Sequence, residues 1–191
     1  MIAVRALPVG PAYGGSPMTA KQFFNALAKG ETDVLAILLD MLAESASPYC
    51  VIGGLAVNAY AEPVVSLDLD LVVALESMDE VSSAAEARGM RVERFEHSVN
   101  LTSPKSDLRV QLQTDVRYQP FIARAVEREV LGYRMRVAAL PDVLQGKLWA
   151  YQDVARRASK RQKDLADILR LVETHPHLQV QLPPGVRGTL G

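Results

Sequence analysis

A chain of 191 residues, 49% hydrophobic and 23% charged, is long enough for one α/β domain with a helical extension and apolar enough for a sizeable core. Lys and Arg number 21 against 22 Asp and Glu, and the net charge of -1 excludes the global positive field of a general nucleic-acid binder. One cysteine, Cys50, allows no intrachain disulfide, and no apolar run approaches the ~20 residues that span a bilayer, so a cytoplasmic protein with no membrane partner is expected.

Residues 1–17 lack the apolar core of a signal peptide, and their Pro and Gly content predicts a flexible lead-in. Thr19 is placed to cap a helix running through Lys29 and ended by Gly30. Val34, Leu35, Leu38, Met41 and Leu42 then keep helical spacing. Tyr49 to Ile52 reads as a buried strand closed by Gly53-Gly54, with Cys50 as a small buried hydrophobe. Leu55 to Glu62 reads as a helix stopped by Pro63. From Val64 to Val73 the period switches to two, with Ser66, Asp68 and Asp70 on one face of a largely buried strand.

Ser77 and Glu80 suggest a capping box for a helix ending at Gly89. Arg91 to Glu96, Ser98 to Thr102 and Leu108 to Gln113 look like strands, Pro120 to Glu127 like a short helix, and Val130 to Val137 like a hairpin about Gly132. Pro141 opens a helix at its first turn. In the charged last third, Leu165, Ile168, Leu169 and Val172 form a core-facing stripe. The expected organisation is a core over 18–138, a helical part over 139–178 and a loose tail over 179–191. The order of elements suggests an α/β sheet domain.

The chemistry concentrates where Gly53-Gly54 precedes Asp68 and Asp70. A glycine pair lets backbone approach a phosphate. Two carboxylates at i and i+2 on a strand point the same way, roughly 7 Å apart along it. Both can reach magnesium, which takes one or two carboxylates plus substrate phosphates. Either motif alone reads as an ordinary turn or a solvent-facing pair; their order and their apolar surroundings favour a site, since carboxylates in a buried strand are costly unless paired or metal-bound.

The run Ile52-Gly53-Gly54-Leu55-Ala56-Val57-Asn58-Ala59-Tyr60, followed by Ser66-Leu67-Asp68-Leu69-Asp70-Leu71-Val72-Val73, resembles the signature of minimal nucleotidyltransferases of the polymerase-beta superfamily. Leu140 to Ala150, around Lys147, and Arg161 to Ile168, around Asp164, extend the likeness to the AbiEii-type family, whose members include bacterial toxins of toxin–antitoxin systems. The resemblance covers roughly residues 30 to 175. It implies a nucleotidyltransferase fold, a small mixed sheet flanked by helices, and a transfer of a nucleoside monophosphate from a nucleoside triphosphate to a hydroxyl. The acceptor would be an RNA or tRNA 3′ end, a protein or a small molecule, and a cognate antitoxin is an implied partner. Gly53, Gly54 and Ser66 would hold the triphosphate, Asp68 and Asp70 magnesium, Lys147 a phosphate; Asp164 would complete the site and Lys163 add charge beside the nucleotide. For Lys147, Lys163 and Asp164 the alternative is a solvated helix face, with Lys160–Asp164 and Lys163–Asp167 as i, i+4 pairs.

One departure stands out. The superfamily's third carboxylate falls on Gln111, which accepts no proton near neutral pH. Asp107 and Asp115 share its parity four residues either side. A catalytically degenerate nucleotide- or partner-binding module of the same fold is therefore the alternative. His97, His175 and His177 make no ligand cluster with the aspartates. Trp149 fits either a core role or stacking on a base, and Arg156 to Lys163 either a solvated face or a landing strip for phosphate.

Overall fold

The computed structural model describes residues 17–188, so the expected N-terminal lead-in, Pro17 apart, lies outside the described residues. Thr19 begins α1 (Ala20–Leu27) with a complete capping box: its hydroxyl accepts the Gln22 N–H at 3.2 Å, and the Gln22 carboxamide accepts the Thr19 N–H at 2.9 Å. The Asp33 carboxylate caps α2 (Val34–Glu44) by accepting the Ala36 N–H at 2.9 Å. Val34, Leu35, Leu38, Met41 and Leu42 are all buried, as their spacing requires.

β1 (Tyr49–Ile52) leads through α3 (Gly53–Val57) to β2 (Asp68–Val73). After α4 (Met78–Ala87) come β3 (Arg91–Arg94), β4 (Ser98–Ser103) and β5 (Ser106–Gln113). Then α5 (Gln119–Arg124) precedes the hairpin of β6 (Val126–Val130) and β7 (Tyr133–Val137). One mixed sheet of seven strands results, in the order β3-β4-β5-β2-β1-β7-β6. β2 runs antiparallel to β1 and parallel to β5, while β7 runs parallel to β1. α2 and α4 pack together against the sheet, α5 packs on β1 and β2, and α3 packs against α6 (Leu140–Gln152) and α7 (Ala158–Thr174). The expected architecture of a mixed sheet flanked by helices is the observed one.

Several expectations need correction. The carboxylate strand starts at Asp68, not Val64; Val64 and Val65 are exposed. Asn58 explains this: its Nδ2 donates to the Val64 carbonyl at 2.8 Å and its Oδ1 accepts the Val64 N–H at 3.0 Å, taking the groups a neighbouring strand would use. α3 likewise ends at Val57 instead of running to Glu62. Ser77 makes no cap, because the 3-10 turn Leu75–Ser77 runs straight into α4 and leaves Ser77 helical, at φ -93 and ψ -4, where a cap needs extended backbone. β6 begins at Val126, which shortens α5; Leu131 (φ 55) and Gly132 (φ 81) form the tight turn that matches strand twist.

In α7 the buried stripe is rotated from expectation: Ile168, Leu171 and Val172 are buried together with Asp164 and Asp167, while Leu165 and Leu169 are only half-buried. Beyond 179, where the chain was expected to loosen, Leu182 and Val186 are each 2% exposed, so packing continues into α8 (Pro184–Arg187). Among the described residues no helix is long and apolar enough to cross a membrane.

Candidate active site

Ile52 ends β1 in extended backbone, and Gly53 turns the chain into α3 at φ +68. A Cβ on Gly53 would lie 2.0 Å from Asp70 Oδ2, so only glycine lets this carboxylate lie against the turn. A Cβ on Gly54 would meet no atom within 4 Å. The double-glycine turn and the aspartates thus share one place, and the second glycine opens it. Register does the rest: Asp70 lies opposite Ile52 on β1 and Gln111 on β5, and Asp68 lies opposite Arg109.

Gly54, Ser66, Asp68, Asp70, Lys147, Lys163 and Asp164 line one open cleft, with Gly53 in a narrower recess that continues it past Asp70. The cleft volume, about 450 Å³, is in the range of small-molecule sites. Ser66 accepts the Asp68 N–H at 3.2 Å, which ties the segment before β2 to the strand. All eight residues singled out in the sequence are therefore brought together.

Their charges are not equivalent. Lys147 is 7% exposed, with Nζ 3.1 Å from Asp164 Oδ1 and 2.7 Å from Asp167 Oδ2. The contact with Asp164 is an aligned hydrogen bond; that with Asp167 is a charge contact off the donor axis. Arg156 Nε donates to Asp164 Oδ2 at 2.8 Å, and Arg170 donates to Asp167 Oδ1 at 2.8 Å. Arg170 also reaches Asn58 Oδ1, at 3.1 Å, and the Glu62 carbonyl. The i, i+4 pairs expected on a solvated face do not form, since both carboxylates turn inward to Lys147. This is also why the α7 stripe is rotated. Lys163 stays exposed on the rim beside Lys160.

Asp70 makes no ion pair and no hydrogen bond among the described residues. Burial pushes its carboxyl above the ordinary range; the charge of Lys147 pulls it down and that of Asp68 adds repulsion. Asp68, in contrast, holds Arg109 Nε at 2.7 Å through Oδ1. Hard oxygen donors on one sheet face, one of them with an unanswered charge, fit a divalent cation that also binds substrate phosphate. Among the described residues no three His, Cys, Asp or Glu side chains gather as metal ligands.

Gln111 stands beside Asp70 in the sheet and lines the cleft. Neither neighbouring acid replaces it: Asp107 pairs with Lys29 at 3.0 Å, and Arg117 grips Asp115 and holds its carboxyl below the usual range. Trp149 is packed, stacked on Phe121 at 5.7 Å between centroids and covered by the Arg117 guanidinium, so the core reading holds. Arg109 and Asp167 were not assigned to the site from sequence; Arg156 was named there only as part of the basic stretch.

No protein-family model and no curated protein matches this chain. Solved structures do. The crystal structure of ANT(2'')-Ia in complex with adenylyl-2''-tobramycin matches with a TM-score of 0.58 and 17% identity, over 82% of this chain and 94% of that one. The lincomycin-bound lincosamide antibiotic adenylyltransferase LnuA matches at 0.52 and 11%, over 74% and 98%. An antigenic nucleotidyltransferase-like protein from Paracoccidioides brasiliensis matches at 0.52 and 17%, over 87% and 85%. At such identities the likeness establishes the fold, which is that of the nucleotidyltransferases. It lends nothing to the narrower AbiEii-type resemblance.

Proposed function

We propose that this chain is a magnesium-dependent nucleotidyltransferase that moves a nucleoside monophosphate from a nucleoside triphosphate to an acceptor hydroxyl. One observation carries the reading: the Asp70 carboxylate lies so close to Gly53 that any side chain there would collide with it, which puts the phosphate-accessible turn and the Asp68–Asp70 pair in a single cleft. In the reaction the acceptor hydroxyl oxygen attacks the α-phosphorus and gives up its proton to solvent, a new P–O bond forms, and the bond to pyrophosphate breaks. The open backbone at Gly54, with Ser66, receives the phosphates. Lys163, Lys160 and Arg156 offer cationic charge along the rim. Lys147, already shared between two carboxylates, lends a fixed positive potential at the cleft wall. Bound at Asp70 and Asp68, magnesium supplies charge stabilisation for the triphosphate and the departing pyrophosphate.

Of the three acceptor classes, small hydroxylated molecules gain support from the two neighbours whose ligands are adenylyl-tobramycin and lincomycin. The toxin and antitoxin reading rests on the sequence resemblance alone. A second reading, nucleotide binding without turnover, is favoured by Gln111 beside Asp70. Radiolabelled nucleoside triphosphates offered with magnesium, total RNA, protein and small polyols separate the two. Label transfer that falls at least about a hundredfold in Asp68→Ala supports the enzyme. Magnesium-dependent binding by calorimetry with no transfer to any acceptor supports the binding module instead.

A further inference from the structure

We propose that the cleft holds a single divalent cation per chain, centred on Asp70, and that the Arg109 guanidinium takes the place of a second ion at Asp68. The inference rests on the nucleotidyltransferase reading above and concerns how this chain arranges charge within it. Asp68 and Arg109 are register partners across the parallel β2–β5 pair, so the sheet itself sets them side by side. The Arg109 side chain is 69% exposed and its Nε lies 2.7 Å from Asp68 Oδ1 as an ion pair, leaving Asp68 Oδ2 uncommitted. Its terminal N–H groups, with no partner among the described residues, can take a phosphate oxygen as a charge-assisted donor.

A second cation would have to enter this same corner. It would meet Arg109 at contact range, where like charges repel. Beyond the one free Asp68 oxygen it would find no further carboxylate, because the next β5 residue on that face is the neutral Gln111. Lys147 cannot vary the balance, since Asp164 and Asp167 already hold it. One ion plus one guanidinium already outweighs the two aspartates and leaves the corner positive toward a triphosphate. Asp70, with no partner of its own, is the natural centre for that ion.

The experiment counts ions. The full chain is dialysed to equilibrium against manganese with a nonhydrolysable α,β-methylene ATP analogue, and bound metal and nucleotide are measured together; manganese alone is titrated by calorimetry. One manganese per bound nucleotide is expected, and two overturn the proposal. Arg109→Ala should bind the single ion about tenfold more tightly in the nucleotide-free titration. Arg109→Lys, which keeps the charge, should stay close to the parent; equal affinity in all three proteins also overturns the proposal. The double variant Arg109→Ala with Gln111→Asp should take a second ion. Circular dichroism checks that the variants fold, and the manganese count per nucleotide in the parent chain still decides the matter if Arg109→Ala does not. Manganese absent from every protein, with or without nucleotide, would instead sink the transferase reading itself, a different result from a count of two.

Discussion

Around Asp33 every group within reach answers the carboxylate. The Ala36 N–H donates to it at 2.9 Å, the Tyr133 hydroxyl donates at 2.8 Å, and Lys21 Nζ lies 3.0 Å away. Burial would raise this acid, yet the Ala36 N–H, Lys21, Tyr133 and Asn25 together hold it below the usual range. Around Asp70, in the same fold, no donor is within bonding reach among the described residues, and burial wins. Asp164 and Asp167 belong with Asp33, since Lys147, Arg156 and Arg170 neutralise them. The contrast, ion-paired acids elsewhere and one carboxylate left bare beside an open turn, is what the proposed cation site at Asp70 builds on.

Five substitutions break or sharpen this contrast. The largest is Lys147→Ala, which removes the buried cation that Asp164 and Asp167 share and leaves Arg156 and Arg170 alone to answer them. It should lower unfolding stability by about 3–5 kcal/mol, read from urea midpoints. Next is Gly53→Ala, which strains a left-handed backbone and pushes on Asp70. A loss of about 2 kcal/mol is expected, together with weaker manganese binding; Gly54→Ala, with open space and ordinary backbone, should leave stability nearly unchanged.

The smallest effects have opposite signs. Asp33→Ala removes a satisfied cap and should cost about 1 kcal/mol. Asp70→Asn removes an unanswered charge and should gain about 1 kcal/mol in metal-free buffer, at the expense of metal binding. The pH profiles should differ in the same way. The fold lowers Asp33, so its contribution is present above the unfolded value and lost as pH falls through the folded one. The fold raises Asp70, so its protonated form is favoured and stability is lost as pH rises from the ordinary carboxylate range through the folded value. Urea midpoints of the two variants and the parent, taken from about pH 3 to 7, resolve both slopes.

Much of the cleft was legible in the sequence because its parts are local. Strand alternation alone puts Asp68 and Asp70 on one face, and paired glycines after an apolar strand announce the turn. What was not legible depends on contacts between distant segments. Arg109 meets Asp68 only through the register of β5 on β2, the same register that sets Gln111, expected there from the resemblance, opposite Asp70. Asp167 looked like an i, i+4 partner for Lys163 until α6 supplied a buried lysine. The early start assigned to the carboxylate strand failed for a similar reason. Val64 and Val65 have strand chemistry, but Asn58 takes the backbone groups that pairing would need.

Arg170 sits near the end of α7, yet it grips Asn58 and the Glu62 carbonyl in the loop that leads into the aspartate strand. The ribosome makes that loop early and the arginine late. Both aspartates therefore emerge long before Lys147 and Arg170, the cations that shape the wall around them. Assembly of the cleft waits on α6 and α7, so a chain cut short before α7 would carry its motif intact and its cleft wall unbuilt.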